Sequence, residues 1–227
     1  MNMQLSIHDP TVCQNLVFKP SLRCLDWAAV ASREVAATSE ARKVFSRSNS
    51  LLSWMGMPKK IHNLERSVVS LSHYGSLGEY IEKIITVFKR FTSLIGIFVS
   101  AIQIAYQEGV ISLSKYQLTF LDTVGFIGSF ALFLKSITDI KKNFVLVFSS
   151  RIGSYTFNLS LLKLIGKICG LATGIFGMYT FAFGGGLQAK WIMLGISTIS
   201  LITTISKYYF TSLYPSEKST VISDGFY

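Results

Sequence analysis

An all-α, polytopic integral membrane protein is the fold class this sequence predicts, with about four transmembrane helices arranged in two hairpins. Three observations carry that expectation. The 227 residues are 50% hydrophobic and only 15% charged, where an ordinary soluble domain holds roughly 25% charged residues. Mean hydropathy is +0.44. The few charges are also unevenly spaced, leaving residues 91–107, 168–189 and 191–206 without any. A membrane-crossing helix needs about 20 mostly apolar residues, so these stretches are long enough.

Net charge is +10, from 22 Lys and Arg against 12 Asp and Glu. A basic balance can serve nucleic acid, anionic lipid or membrane topology, and its distribution decides among them. Residues 1–90 hold 12 basic and 7 acidic groups, and residues 141–167 hold five basic groups and no acidic one. The cations flank apolar stretches and form no groove-reading stripe, so nucleic acid is not an expected partner. The two hairpin loops contain only Lys115 and Lys190. The positive-inside tendency therefore places both termini and the middle connector in the cytosol.

In chain order, residues 1–75 read as a cytosol-facing region, polar and partly helical. Met1–Pro20 has neither a basic leader nor an apolar core, so no secretory signal is expected there. Residues 21–45 are Ala-rich, with Leu22, Leu25, Ala29 and Ser32 on one narrow helical face. The run SRSNSLLS at 46–53 reads as a flexible connection, and Met57-Pro58 stops a helix. Residues 76–134 form the next unit, an amphipathic helix plus the first hairpin. Ser76-Leu77-Gly78-Glu79 has the spacing of a capping box. Ile81, Ile84, Ile85 and Phe88 then fall at i, i+3, i+4 and i+7 as one apolar stripe suited to a membrane surface. Span one is about 91–106 and span two about 116–134. Residues 135–163 are a basic interfacial connector, with Ile137, Ile140, Phe144, Val147 and Phe148 on one face. Residues 164–210 form the second hairpin, its spans at 164–183 and 191–210 joined through Gly184-Gly185-Gly186. Residues 211–227 are a short polar tail.

Two features inside the spans single themselves out. Gly166, Gly170 and Gly174 make two consecutive GxxxG steps, which let backbones approach closely where lipid gives no hydrophobic drive to associate. They predict a seam, either between spans three and four or between copies of the chain, with Gly177 standing off its line. Asp122 is the only ionisable residue well inside a span, a costly placement. It reads either as a station for a proton or cation or as a hydrogen-bonded neutral group beside Thr119 and Thr123.

The remaining chemistry is sparse. Cys13, Cys24 and Cys169 have no metal or redox spacing, and Cys169 reads as a small buried hydrophobe. His8, His62 and His73 precede the spans without ligand spacing. No nucleotide-binding loop, nucleophile elbow or zinc-protease motif occurs. Neither catalysis nor a cofactor or metal is expected.

The closely spaced apolar pairs, the Ser-rich N-terminal region and the basic flanks resemble the inclusion membrane (Inc) proteins of Chlamydia. Residues 164–210, with the turn GGGLQAK at 184–190, match that family's bilobed hairpin. The resemblance implies anchoring in a vacuole membrane with both ends in the host cytosol. The longer loop of the first pair and the presence of two hairpins depart from it. Residues 41–210 also look like the peroxin-eleven family of peroxisomal membrane proteins. That likeness rests on Ala41-Arg42-Lys43-Val44-Phe45, on Gln103-Ile104-Ala105-Tyr106 followed by Gly109-Val110-Ile111, and on the glycine-rich C-terminal helices. That family's basic amphipathic segment is not evident here. Either resemblance implies a non-catalytic protein that recruits cytosolic partners through its N-terminal region, or shapes an intracellular membrane. The alternative expectation is a small channel, transporter or pore former using the glycine-rich third span and Asp122.

Overall fold

The computed structural model describes residues 14–31, 36–185 and 187–214, and those residues form helices without any strand. A π-helical turn, Gln14–Phe18, leads into α1 (Lys19–Ala31). Next come α2 (Ala36–Met55), α3 (Met57–Val69) and a 3-10 turn at Ser70–Ser72. The long helices follow: α4 (Leu77–Gln107), α5 (Lys115–Ser149), α6 (Tyr155–Phe183) and α7 (Leu187–Leu213).

Local chemistry sets the helix ends. The Ser76 side chain accepts from the Glu79 amide, as its spacing predicts. The Glu79 carboxylate reaches back one residue further than a capping box requires, to the Gly75 N–H at 2.9 Å. The full reciprocal box sits at the next helix, between Ser114 and Gln117. α4 ends on Gly109 at φ 71°, where the Val110 N–H bonds to the Ala105 carbonyl and the Gly109 N–H to that of Tyr106. That pair of hydrogen bonds is the Schellman cap, and the left-handed φ favours glycine.

α4, α5 and α6 are long and apolar enough to cross a membrane. α7 contains the expected fourth span and has the length, 27 residues. Its middle, however, is diluted by Ser197, Thr198, Ser200, Thr203, Thr204 and Ser206. Neighbouring helices pack in sequence order, and the α5–α6 pair is the most extensive contact. The Lys142–Glu82 ion pair joins the second half of α5 to the first turns of α4, so those helices run antiparallel. Outward faces stay apolar: Phe120, Ile127, Ile168, Ile175, Ile199 and Ile202 are all exposed. A bare protein surface with so much contiguous apolar area needs a partner or a lipid phase.

Several boundaries fall elsewhere than the sequence predicts. The amphipathic segment and span one are a single 31-residue helix. Span two and most of the connector are likewise one 35-residue helix, about 50 Å long, well beyond the roughly 30 Å of a bilayer core. No break occurs at Lys135, because nothing there removes a helical hydrogen bond. The run 46–53 is helical inside α2: Ser48 and Ser53 hydroxyls bond to the Val44 and Asn49 carbonyls of their own helix. The Met57-Pro58 break is a single residue wide, since Pro58 stands in the first turn of α3, where its missing N–H costs nothing.

The N-terminal helices do not stand apart as a separate region. α1 lies along α7, where the Trp27 Nε1–H donates to Thr198 at 2.9 Å and the Trp27 and Trp191 rings meet at 5.5 Å. α2 and α3 lie along α4. Trp54 meets Phe98 edge to face at 4.9 Å, Arg90 donates to Asn63 and Ser67, and Arg47 pairs with Glu108 beyond the α4 C-terminus. The physical reason is the polar row on α4, Ser93, Ser100, Gln103 and Gln107, which faces Asn49, Ser50 and Ser53 across a cavity of about 370 Å³.

Candidate functional site

The glycine face is a true close approach, and its main partner is α5. A Cβ on Gly170 would stand 2.8 Å from the Ser136 hydroxyl, and one on Gly174 would stand 2.9 Å from the Phe133 backbone nitrogen and the Ser129 carbonyl. Only Gly166 looks toward α7, with Thr203 at 3.7 Å. The expected seam between spans three and four is therefore mostly a seam between spans two and three. Gly177, expected to stand off the line, is among the tightest positions: its Cβ would collide with the Ser129 side chain. The reason is helical arithmetic. Seven residues on from Gly170 bring the chain back to within about 20° of the same face. Ser136, which meets Gly170, is buried, and Cys169, the residue before Gly170, is buried as expected.

Asp122 lies on the exposed side of α5, two turns from its start. The hydroxyls of Thr119 and Thr123 are bonded to the Lys115 and Thr119 carbonyls of their own helix. Among the described residues Asp122 makes no hydrogen bond or ion pair, and it borders neither cavity. The stripe Ile81, Ile84, Ile85 and Phe88 is half turned outward. Ile81 and Ile84 are exposed, while Ile85 and Phe88 are partly covered. The connector face is also split: Val147 is buried whereas Phe144 and Phe148 are exposed, their rings 4.5 Å apart. Cys13 and His8 lie outside the described residues. No group of His, Cys, Asp or Glu that could hold a metal occurs among the described ones.

The feature that sequence reasoning missed is a cavity of about 690 Å³ lined by α1, α4, α5, α6 and α7, with Asn49 of α2 at its border. Its cationic wall comprises Lys19 and Arg23 from α1, Lys89 from α4, Lys135 from α5, Lys163 and Lys167 from α6, and Lys207 from α7. Leu132, Leu162 and Leu201 supply an apolar side, and Thr173, Ser197, Thr203 and Thr204 supply hydroxyls deeper in. Asp26 borders the cavity and pairs with Arg23 at 3.0 Å. Asp139, behind the wall, pairs with Lys135 at 2.6 Å and with Lys167. Burial holds the Lys19 ammonium below the usual lysine range, with Lys60 and Arg23 adding repulsion. The Lys19 and Lys207 side chains nonetheless keep accessible surface, because the cavity opens to solvent.

The signal was present in the sequence as the helix register. Lys89 precedes span one, Lys135 follows span two, Lys163 and Lys167 precede or open span three, and Lys207 closes span four. An antiparallel arrangement brings all of these ends to the same level. Comparison of the chain with known proteins finds no matching family model, no matching curated protein and no matching solved structure.

Proposed function

We propose that the chain is a non-catalytic, multi-pass protein of an intracellular membrane, with four spans, both termini in the cytosol and a role in partner recruitment or membrane shaping. The observation that carries this reading is the gathering of Lys89, Lys135, Lys163, Lys167 and Lys207 around one end of the bundle, with the turn at 108–114 and the C-terminus of α6 at 183–185 at the other. Basic residues collect on the cytosolic side of membrane proteins. The exposed apolar flanks of α5, α6 and α7 suit lipid contact. Recruitment is supported by the outer face of α3, held beside Arg90 at that basic end, where Ile61, Val68 and Val69 are exposed. The Inc and peroxin-eleven resemblances point the same way.

The channel reading has less support, since α5 occupies the glycine face and Asp122 borders no cavity. The test is cysteine accessibility in sealed vesicles containing the full chain with its natural cysteines replaced. An impermeant maleimide added from the cytosolic side is expected to label Ser150→Cys and to spare Ser112→Cys. Equal labelling of both would sink the orientation. Efflux of an entrapped dye at the rate of protein-free vesicles is the expected companion result, and rapid efflux would favour the pore.

A further inference from the structure

We propose that the cavity among α1, α4, α5, α6 and α7 is a binding site for a phosphomonoester, whose phosphate is held by Lys89, Lys163 and Lys207. Seven cationic side chains from five helices surround the space, and only two carboxylates, Asp26 and Asp139, stand against them among the described residues. Those two are already committed to Arg23, Lys135 and Lys167. Lys19 has the Asn15 amide oxygen at 2.6 Å. Lys89, Lys163 and Lys207 make no ion pair among the described residues, yet all three border the same space. Gathering like charges under partial burial is unfavourable, and an anion placed among them adds an attraction to each cation that offsets their mutual repulsion.

The ligand's charge follows from the donors. Ammonium groups are point charges with three donors each, suited to a compact dianion approached from several sides. A phosphomonoester supplies that charge and three acceptor oxygens near neutral pH. The volume lies within the range of small-ligand sites and holds more than a phosphate ion. The apolar side at Leu132, Leu162 and Leu201 suits the carbon portion of the ligand. Two sources share this chemistry, a phosphomonoester lipid headgroup entering between helices and a soluble phosphorylated metabolite. Basic pockets between membrane helices near the cytosolic face are known stations for anionic headgroups.

The experiment uses the full chain purified in detergent. In one arm, native mass spectrometry counts lipid retained from an equimolar mixture of phosphatidic acid, phosphatidylserine and phosphatidylcholine. In the other, glycerol 3-phosphate is added to delipidated protein and the thermal midpoint is followed. Preferential retention of phosphatidic acid without a response to glycerol 3-phosphate supports the site and assigns it to lipid. A rise in midpoint with glycerol 3-phosphate supports the site and assigns it to a soluble ligand. This soluble arm does not depend on membrane orientation, so the topology can fail while the site stands. The double variant K163Q/K207Q is expected to bind at least about tenfold more weakly, as charged hydrogen bonds are lost. K141Q, which removes one such charge at an exposed position of α5 outside the cavity, is expected to bind as the parent does. Should the double variant fail to fold, K89Q alone carries the comparison. Equal retention of the three lipids together with no midpoint change overturns the proposal, as does equal weakening by K141Q.

Discussion

The α5–α6 pair and the attachment of the N-terminal helices are two different solutions to holding helices together. α5 and α6 meet backbone to backbone, with Gly170, Gly174 and Gly177 against Ser129, Phe133 and Ser136. α1, α2 and α3 are tied on by side chains: the Trp27–Thr198 hydrogen bond, the Trp54–Phe98 ring contact, the Arg47–Glu108 pair and the Arg90 guanidinium donating to Asn63 and Ser67. The difference teaches where each part can tolerate change. A seam built on absent side chains fails when one is added, and a face built on polar tips fails one tip at a time. The first is steric and nearly independent of solvent conditions, whereas the second responds to pH and salt.

The sharpest way to break that contrast is at Gly174. Gly174→Val places a branched side chain where the Phe133 backbone passes, and should cost about 2–3 kcal/mol, as overpacked cores do. The thermal midpoint in detergent, followed by circular dichroism, reads the loss; a midpoint unchanged from the parent would mean the helices do not meet there. Gly177→Ala should cost less, and Ser129→Gly should restore most of it, because Ser129 is the side chain in the way. A double-mutant cycle on those two positions with no coupling would remove Ser129 from the seam.

Asp139→Asn tests the charged stitch between α5 and α6 just above the seam. It leaves Lys135 and Lys167 facing each other without their carboxylate, and a loss of roughly 1–2 kcal/mol is expected. That lies below the range of fully buried pairs because the Lys167 side chain is 41% exposed. Urea or thermal titration of the variant against its parent measures it, and a gain in stability would contradict the pairing.

Smaller still is the Arg47–Glu108 tie. The Arg47 hydrogen bond holds the Glu108 carboxyl below the ordinary glutamate range. The sign then follows: the contribution is present above the unfolded-state pKa and is lost as pH falls through the lowered folded value. Release of α2 should appear as faster amide exchange of its backbone under acid, and Glu108→Gln should show fast exchange at neutral pH as well. Exchange insensitive to both changes would detach this pair from the docking of α2. At the bottom of the scale stand Gly128→Ala and Gly195→Ala, where a Cβ meets nothing within 4 Å. Each should be neutral or stabilising by up to about 1 kcal/mol through helix propensity alone, and a marked loss at either would show unrecognised packing on that face.

The sequence by itself determined the helical class, the apolar stretches now within α4, α5 and α6, the cap at Ser76 and the glycine face at Gly170 and Gly174, though not a tight contact at Gly166. Each is a local matter, since hydropathy, capping chemistry and the absence of a side chain act within one helix. Only the tertiary structure decided which helix fills the glycine face, that Gly177 belongs to it, that 46–53 is helical, and that Lys19, Lys89, Lys163 and Lys207 share one cavity. Those outcomes depend on residues far apart in the chain meeting across helix interfaces. Periodicity fixes the face a residue occupies on its own helix, but which face arrives opposite is set by how the helices pack together.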